Sequence, residues 1–240
     1  MILRRLLFII VVIEVFREFD DSVFEGLSFD YSSKDARINH ATVLLAWYCV
    51  LPKATKRVLE LGTGSGAISI YLARKYDVEI TAIDVDEELI EIAHKNARVN
   101  NVTDKVKFMQ LSSAMAVEKF SAGSFDVVVS NPPHFAHEGI ESPSQRRNSS
   151  RRLTIEGIKE FAQATGRLLK SRGAFFFILH PRDLTRWLSA FEMNNLGVHR
   201  LRFVFGTANK QSQLVLVKGR KNSTSEVVVE PPIILRKGRS

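Results

Sequence analysis

Four consecutive residues, Asn131-Pro132-Pro133-His134, follow closely on the apolar run Phe125 to Val129. Their types suit the holding of a planar amine. The Asn131 side-chain oxygen and the Pro132 carbonyl can each accept one N–H, which fixes the nitrogen and favours its rehybridised, more nucleophilic form. The two prolines stiffen the loop and hold that carbonyl outward. His134, with Phe135 behind it, offers a ring on which a flat group can stack. The same residues would also serve as a proline-stiffened strand exit with no chemistry at all.

A second constellation lies in 57–66, RVLELGTGSG. Val58, Leu59 and Leu61 read as a buried parallel strand that stops at Gly62, Gly64 and Gly66, and a helical pattern runs on from Ala67 to Lys75. Alternating glycines take positive φ without steric cost and leave main-chain N–H groups open to a flat or charged ligand. Dinucleotide- and phosphate-binding folds use related turns. Here, however, the spacing is G-x-G-x-G behind an acidic Glu60, unlike the G-x-G-x-x-G of dehydrogenases, and no Lys-Ser/Thr pair follows as in a P-loop. A second apolar run, Val78 to Ile83, ends in Asp84. Its carboxylate can accept both hydroxyls of a ribose or cap the next helix, a role for which Asp86 also stands ready.

With the glycine turn, Asp84 and the Asn-Pro-Pro segment in this order, the chain resembles the class I S-adenosylmethionine-dependent methyltransferases. Within them it is similar to the branch that carries an N/D-P-P-Y/F/W motif and methylates planar amino groups. The resemblance implies S-adenosylmethionine as cofactor, held by Glu60, Gly62, Thr63, Gly64, Gly66, Asp84, Val85, Ser112, Ser113 and Asn131, with Asn131, Pro132, Pro133 and His134 as the catalytic loop. Two departures from that pattern are visible. Leu111-Ser112-Ser113-Ala114 follows the third strand where related enzymes place an Asp near the adenine amine, and His134 stands where tyrosine or phenylalanine is usual.

The next segment, Ser142 to Arg152, concentrates Arg146, Arg147, Arg151 and Arg152, side chains suited to RNA phosphates, although a basic loop can also be merely solvated. Together with His180-Pro181-Arg182-Asp183-Leu184, Arg202-Phe203-Val204-Phe205 and the Pro231-Pro232-Ile233-Ile234 tail, it resembles the bacterial family that methylates N6 of an adenine beside the valine tRNA anticodon. That resemblance implies an RNA substrate, tRNA above all. Three alternatives stay open: protein glutamine N5-methylation, ribosomal RNA guanine-N2 methylation, and a non-catalytic RNA-binding module.

The elements that must position these residues alternate regularly. Strands are expected at 57–61, 78–83, 105–110, 124–130, 173–180, 198–205 and 212–218, and helices at 66–75, 86–100, 154–171 (closed by Gly173) and 181–195. This order specifies an α/β, Rossmann-like doubly wound seven-stranded sheet, mostly parallel. The turn 206–210 is too short for a parallel crossover, so the last two strands form an antiparallel hairpin. Residues 1–50 are expected as a small N-terminal appendage, with a hairpin in 24–37 and a helix from Asn39 to Val50, ahead of a methyltransferase domain over 51–236.

Composition bounds the size, partner charge and compartment, although charge alone does not separate nucleic acid from a generally basic surface. The 240 residues suffice for one α/β domain and an appendage, and a formal net charge of +8 favours an anionic partner. The single cysteine, Cys49, provides neither a disulfide nor a metal cluster and fits a reducing cytoplasm. The apolar run Leu6 to Ile13 is too short to span a bilayer, is followed at once by Glu14, Arg17 and Glu18, and lacks a small-x-small cleavage site, so no membrane or secretory role is expected.

Overall fold

The computed structural model describes residues 17–30, 32–33, 36–133 and 154–235. Helix α1 (His40–Tyr48) precedes β1 (Arg57–Leu61), α2 (Ala67–Lys75), β2 (Glu79–Asp84), α3 (Glu87–Val99), β3 (Val106–Gln110), α4 (Ser113–Lys119) and β4 (Phe125–Ser130). Then come α5 (Ile155–Leu168), β5 (Leu169–Leu179), α6 (Leu184–Met193), β6 (Leu196–Phe205), β7 (Ser212–Lys221) and two short strands, β8 (Val228–Val229) and β9 (Ile233–Ile234). The sheet order is β3-β2-β1-β4-β5-β7-β6-β8, with β9 also beside β6. Strands β1 to β5 pair in parallel, whereas β7 runs antiparallel between β5 and β6.

Alternation along the strands builds two cores, one on each face. Val127, Val129, Phe176 and Ile178 pack with α1, α2 and α3, including Leu44, Trp47, Ile70 and Ala93. Val128, Phe175, Phe177 and Leu179 point the other way, onto α5 and α6 through Ile158, Ala162, Trp187 and Phe191. Since the central strands are buried on both faces, their sequences read as continuous apolar runs.

The structure corrects several boundaries. Among the described residues nine strands form the sheet instead of seven, because the Pro-rich tail adds β8 and β9 along β6. Helix α5 ends at Leu168, and β5 begins at Leu169. Gly173 therefore lies inside a strand, where a Cβ would come within 2.9 Å of the Asp126 carbonyl oxygen. Helix α4 is an additional element between β3 and β4, and it starts where Ser112 accepts the Met115 N–H at 3.1 Å.

The hairpin expected over 24–37 is replaced, among the described residues, by a 3-10 turn at Ser22–Phe24 and non-strand chain. Its backbone groups find partners on a helix: Asn100 Oδ1 accepts the Ser28 N–H at 3.0 Å, Asn96 Oδ1 accepts the Asp30 N–H at 2.7 Å, and Asn100 Nδ2 donates to the Ser28 carbonyl at 2.7 Å. Phe24 stacks edge-on against Phe29 and Tyr71. With these backbone groups satisfied by Asn96 and Asn100 of α3 and its C-cap, they need no strand partner.

Candidate functional site

The carboxyl ends of β1, β2, β3 and β4 open into a cavity of about 780 Å3. It is closed from above by Arg37, Asn39 and Thr42 at the start of α1 and by Thr154, Gly157, Glu160 and Phe161 of the α5 region. This is the crevice where open α/β sheets bind ligands. Glu60, Gly62, Thr63, Gly64, Asp84, Val85, Ser112, Ser113, Asn131 and Pro133 all line it. Gly66 and Pro132 belong to its frame and do not line it.

The floor is the glycine turn. Gly62, Gly64 and Gly66 have φ of +73°, +56° and +83°, the left-handed region that favours glycine. A Cβ on Gly66 would meet the Phe108 ring at 2.8 Å, so this glycine lets α2 close onto β3, whereas nothing lies within 4 Å of a Cβ on Gly64. Space above Gly64 is left for a ligand. The turn is anchored to the second strand by Asp84, whose Oδ2 accepts the Gly64 N–H at 2.8 Å while Oδ1 accepts the Asp86 N–H at 3.1 Å. Capping of α3 falls to Asp86, which accepts the Leu89 N–H at 3.1 Å. That arrangement leaves Asp84 lining the cavity with acceptor capacity on both oxygens.

Glu60 is buried, with 1% of its surface exposed. Burial pushes its carboxyl pKa up to about 7, although hydrogen bonds from Ser69 and Thr63 act against that rise. Thr63 donates to Oε2 at 2.7 Å, and the Ser69 N–H does so at 3.1 Å, joined by the Ser69 hydroxyl. Glu60, Asp84, Asp86 and Glu160 face a single cation, Arg37, among the lining residues described. The cavity is thus acidic in a chain of net charge +8.

Asn131 stands at the exit of β4, half-buried, with its Nδ2 3.5 Å from Thr42 Oγ1 on α1. Thr42 in turn donates to Asn39 Oδ1 at 3.1 Å, and the Thr42 N–H reaches the same oxygen at 3.0 Å. His134 and the arginines Arg146, Arg147, Arg151 and Arg152 lie outside the described residues. Sequence reasoning passed over Arg37, Asn39 and Thr42. The Asn39 cap was the available signal, since an Asn three residues before a Thr at a helix start fixes both polar groups locally.

The sequence model of the methyltransferase small domain family matches residues 31–182, more than half of the chain, and this protein belongs to that family. A protein named tRNA1(Val) (adenine(37)-N6)-methyltransferase from Phocaeicola vulgatus is 27% identical over 175 residues, covering 73% of this chain and 72% of that one. A release factor glutamine methyltransferase from Chlorobaculum tepidum is 30% identical over 152 residues, 60% of this chain and 52% of that protein. Among solved structures, a predicted O-methyltransferase from Agrobacterium tumefaciens superposes with a TM-score of 0.67 at 18% identity, over 83% of this chain and 89% of that chain. It shares the Rossmann-like fold.

Proposed function

We propose that the chain transfers a methyl group from S-adenosylmethionine to the N6 amine of an adenine in tRNA, working in the cytoplasm. The observation that carries this reading is the acidic cavity on the glycine turn, with the Asn131 amide at its edge. A ligand bearing an ammonium and a sulfonium fits four carboxyl groups, and its one carboxylate fits Arg37. Asp84 would hold the ribose hydroxyls, and Val85 and Leu111 would flank the adenine. When bound between Glu60, Asp84 and Arg37, the cofactor would supply an activated methyl for displacement by the amine lone pair, the S–C electron pair going to sulfur and one amine proton to water. Asn131, which lines the cavity, would orient that amine by accepting its N–H, so that no strong base is needed.

The substrate is supported by the names of relatives and by the arginine-rich sequence 146–152. A second reading, glutamine methylation in a release factor, is favoured by the Chlorobaculum tepidum relative. Both substrates present a planar amine, so acceptor competition separates them. Labelled S-adenosylmethionine is supplied with unmodified tRNA or with release factor, and label is expected in the tRNA adenine. Label confined to the release factor would overturn the RNA reading, and label in neither with intact cofactor binding would overturn the enzymatic one.

A further inference from the structure

One strand along from Asn131, the same rim of the sheet carries a second concavity, about 570 Å3 in volume. His180, Pro181 and Arg182, after β5, form one wall, and Lys210 to Gln213, at the β6–β7 turn, form the other. We propose that this concavity is a docking site for the RNA backbone, gripping phosphates beside the nucleotide presented to Asn131. The proposal rests on the RNA reading above and deepens it by placing the RNA to one side of the cavity.

Register fixes the relation of the two sites. Ser130 of β4 pairs with Phe177 of β5, so Asn131 comes level with Ile178 and His180 lies two residues further along the neighbouring strand. At roughly 3.3 Å per residue along strands and 4.8 Å between them, the two backbones are about 8 Å apart there. Leu179 pairs with Val215 of antiparallel β7, so Gln213 and the turn before it project past the same rim. A chain crossing the cavity mouth in this direction runs onto the concavity next.

The sign of the charge reverses between the two. Arg182 and Lys210 are exposed, and among the described residues no Asp or Glu lines the concavity. The nearest carboxylate in sequence, Asp183, is buried and pairs with Arg186 at 3.0 Å. A guanidinium, an ammonium and the amides of Gln211 and Gln213 make a donor-rich surface suited to phosphate oxygens. The cofactor cavity, with its carboxyl groups, would repel the same phosphates. An adenine must leave its stack to enter a cavity, and fixing the backbone on one side of the extruded nucleotide holds it there. The geometry therefore divides the rim into a place for the base and a place for the strand that carries it.

The test is fluorescence-detected binding of unmodified tRNA to the full chain, with methyl transfer to the same tRNA read in parallel. The double variant Arg182→Glu/Lys210→Glu changes exposed side chains only, and unchanged S-adenosylmethionine affinity verifies its fold. We expect a tRNA Kd at least tenfold weaker and a slope of log K against log salt smaller by about 1.5, the loss of two phosphate contacts. The charge-conserving pair Arg182→Lys/Lys210→Arg is expected to bind tRNA within threefold of wild type. Wild-type affinity and salt slope in the double Glu variant, with tRNA still methylated, would overturn the docking site and leave the RNA reading standing. If the wild-type chain neither binds nor methylates tRNA, both fall.

Discussion

Thr42 faces Asn131 as an acceptor, because its own hydroxyl proton is directed elsewhere. The backbone N–H of Thr42 can meet only an oxygen, which sets the Asn39 amide with Oδ1 toward it at 3.0 Å. That oxygen also takes the Thr42 hydroxyl proton at 3.1 Å. What Thr42 Oγ1 then shows to Asn131, 3.5 Å away, is a lone pair, so the Asn131 amide turns its Nδ2 there and keeps Oδ1 for the amine. A helix cap on α1 thus sets the polarity of the residue assigned to orient the amine.

Thr42→Val keeps the shape and removes the acceptor. The Asn131 amide then loses its preference between two flips, one of which presents N–H groups to an amine. We expect kcat to fall about tenfold, in line with about 1.4 kcal/mol of lost orientation, with the cofactor Kd unchanged. Thr42→Ser should restore kcat, since the hydroxyl returns. Steady-state kinetics with a tRNA acceptor read this directly, and equal kcat in all three proteins would show that the amide is oriented by something else.

Asp84 ties the glycine turn to the second strand and is the carboxylate assigned to the ribose. In Asp84→Asn one acceptor oxygen becomes an NH2 group that faces either a main-chain N–H or the cavity. A charge-assisted hydrogen bond contributes about 1.5–3 kcal/mol, so calorimetry should show S-adenosylmethionine binding weakened by roughly 10- to 100-fold. A Kd within twofold of wild type would remove Asp84 from the cofactor site.

The glycines of the turn should separate into two kinds. At Gly66 an added Cβ adopts positive φ and strikes the Phe108 ring at 2.8 Å and the Ala93 Cβ at 3.0 Å. Gly66→Ala is therefore expected to destabilise the fold by about 3 kcal/mol, combining backbone strain with overpacking. Gly64→Ala meets nothing within 4 Å and has φ of +56°, so its cost is about 1 kcal/mol. Its methyl would instead occupy ligand space. Urea unfolding and cofactor calorimetry on both variants should show stability lost in the first and affinity lost in the second.

How much of this could be read from the chain depended on where each residue's partners are. Val58, Leu59, Val127 and Val128 are fully buried in central strands, so their apolar runs located β1 and β4 to within a residue. The same logic failed for β8 and β9, two-residue strands whose existence depends on β6 offering them an edge. The aromatic, turn-rich stretch from Phe24 to Arg37 reads as a small hairpin, yet Phe24 and Phe29 lie against the α2 side of the core, and the distant Asn96 and Asn100 satisfy the chain between and beside them. At the site, the glycine turn and Asp84 were legible because their bonds are short in sequence or set by strand ends. Thr42 was not, because its partner Asn131 is 89 residues away and only the packing of α1 on the sheet brings them together.

Glu60 links stability to pH. Its pKa rises from the ordinary 4.5 to about 7 in the folded protein because burial disfavours the charged form. Between those two values the folded state holds more protons than the unfolded state, so this group's contribution to stability is fully present below 4.5 and is lost as pH rises through about 7. The loss is about 3 kcal/mol. In Glu60→Gln the side-chain oxygen can still accept from Thr63 and Ser69, and nothing titrates. The variant and wild type should therefore unfold at similar urea concentrations at pH 5. At pH 8 Glu60→Gln should be the more stable by about 2–3 kcal/mol, while binding S-adenosylmethionine more weakly because the carboxylate offered to the ammonium is gone. Parallel pH profiles for the two proteins would mean that Glu60 stays ionised throughout and that its buried charge is held by the Ser69 and Thr63 donors alone.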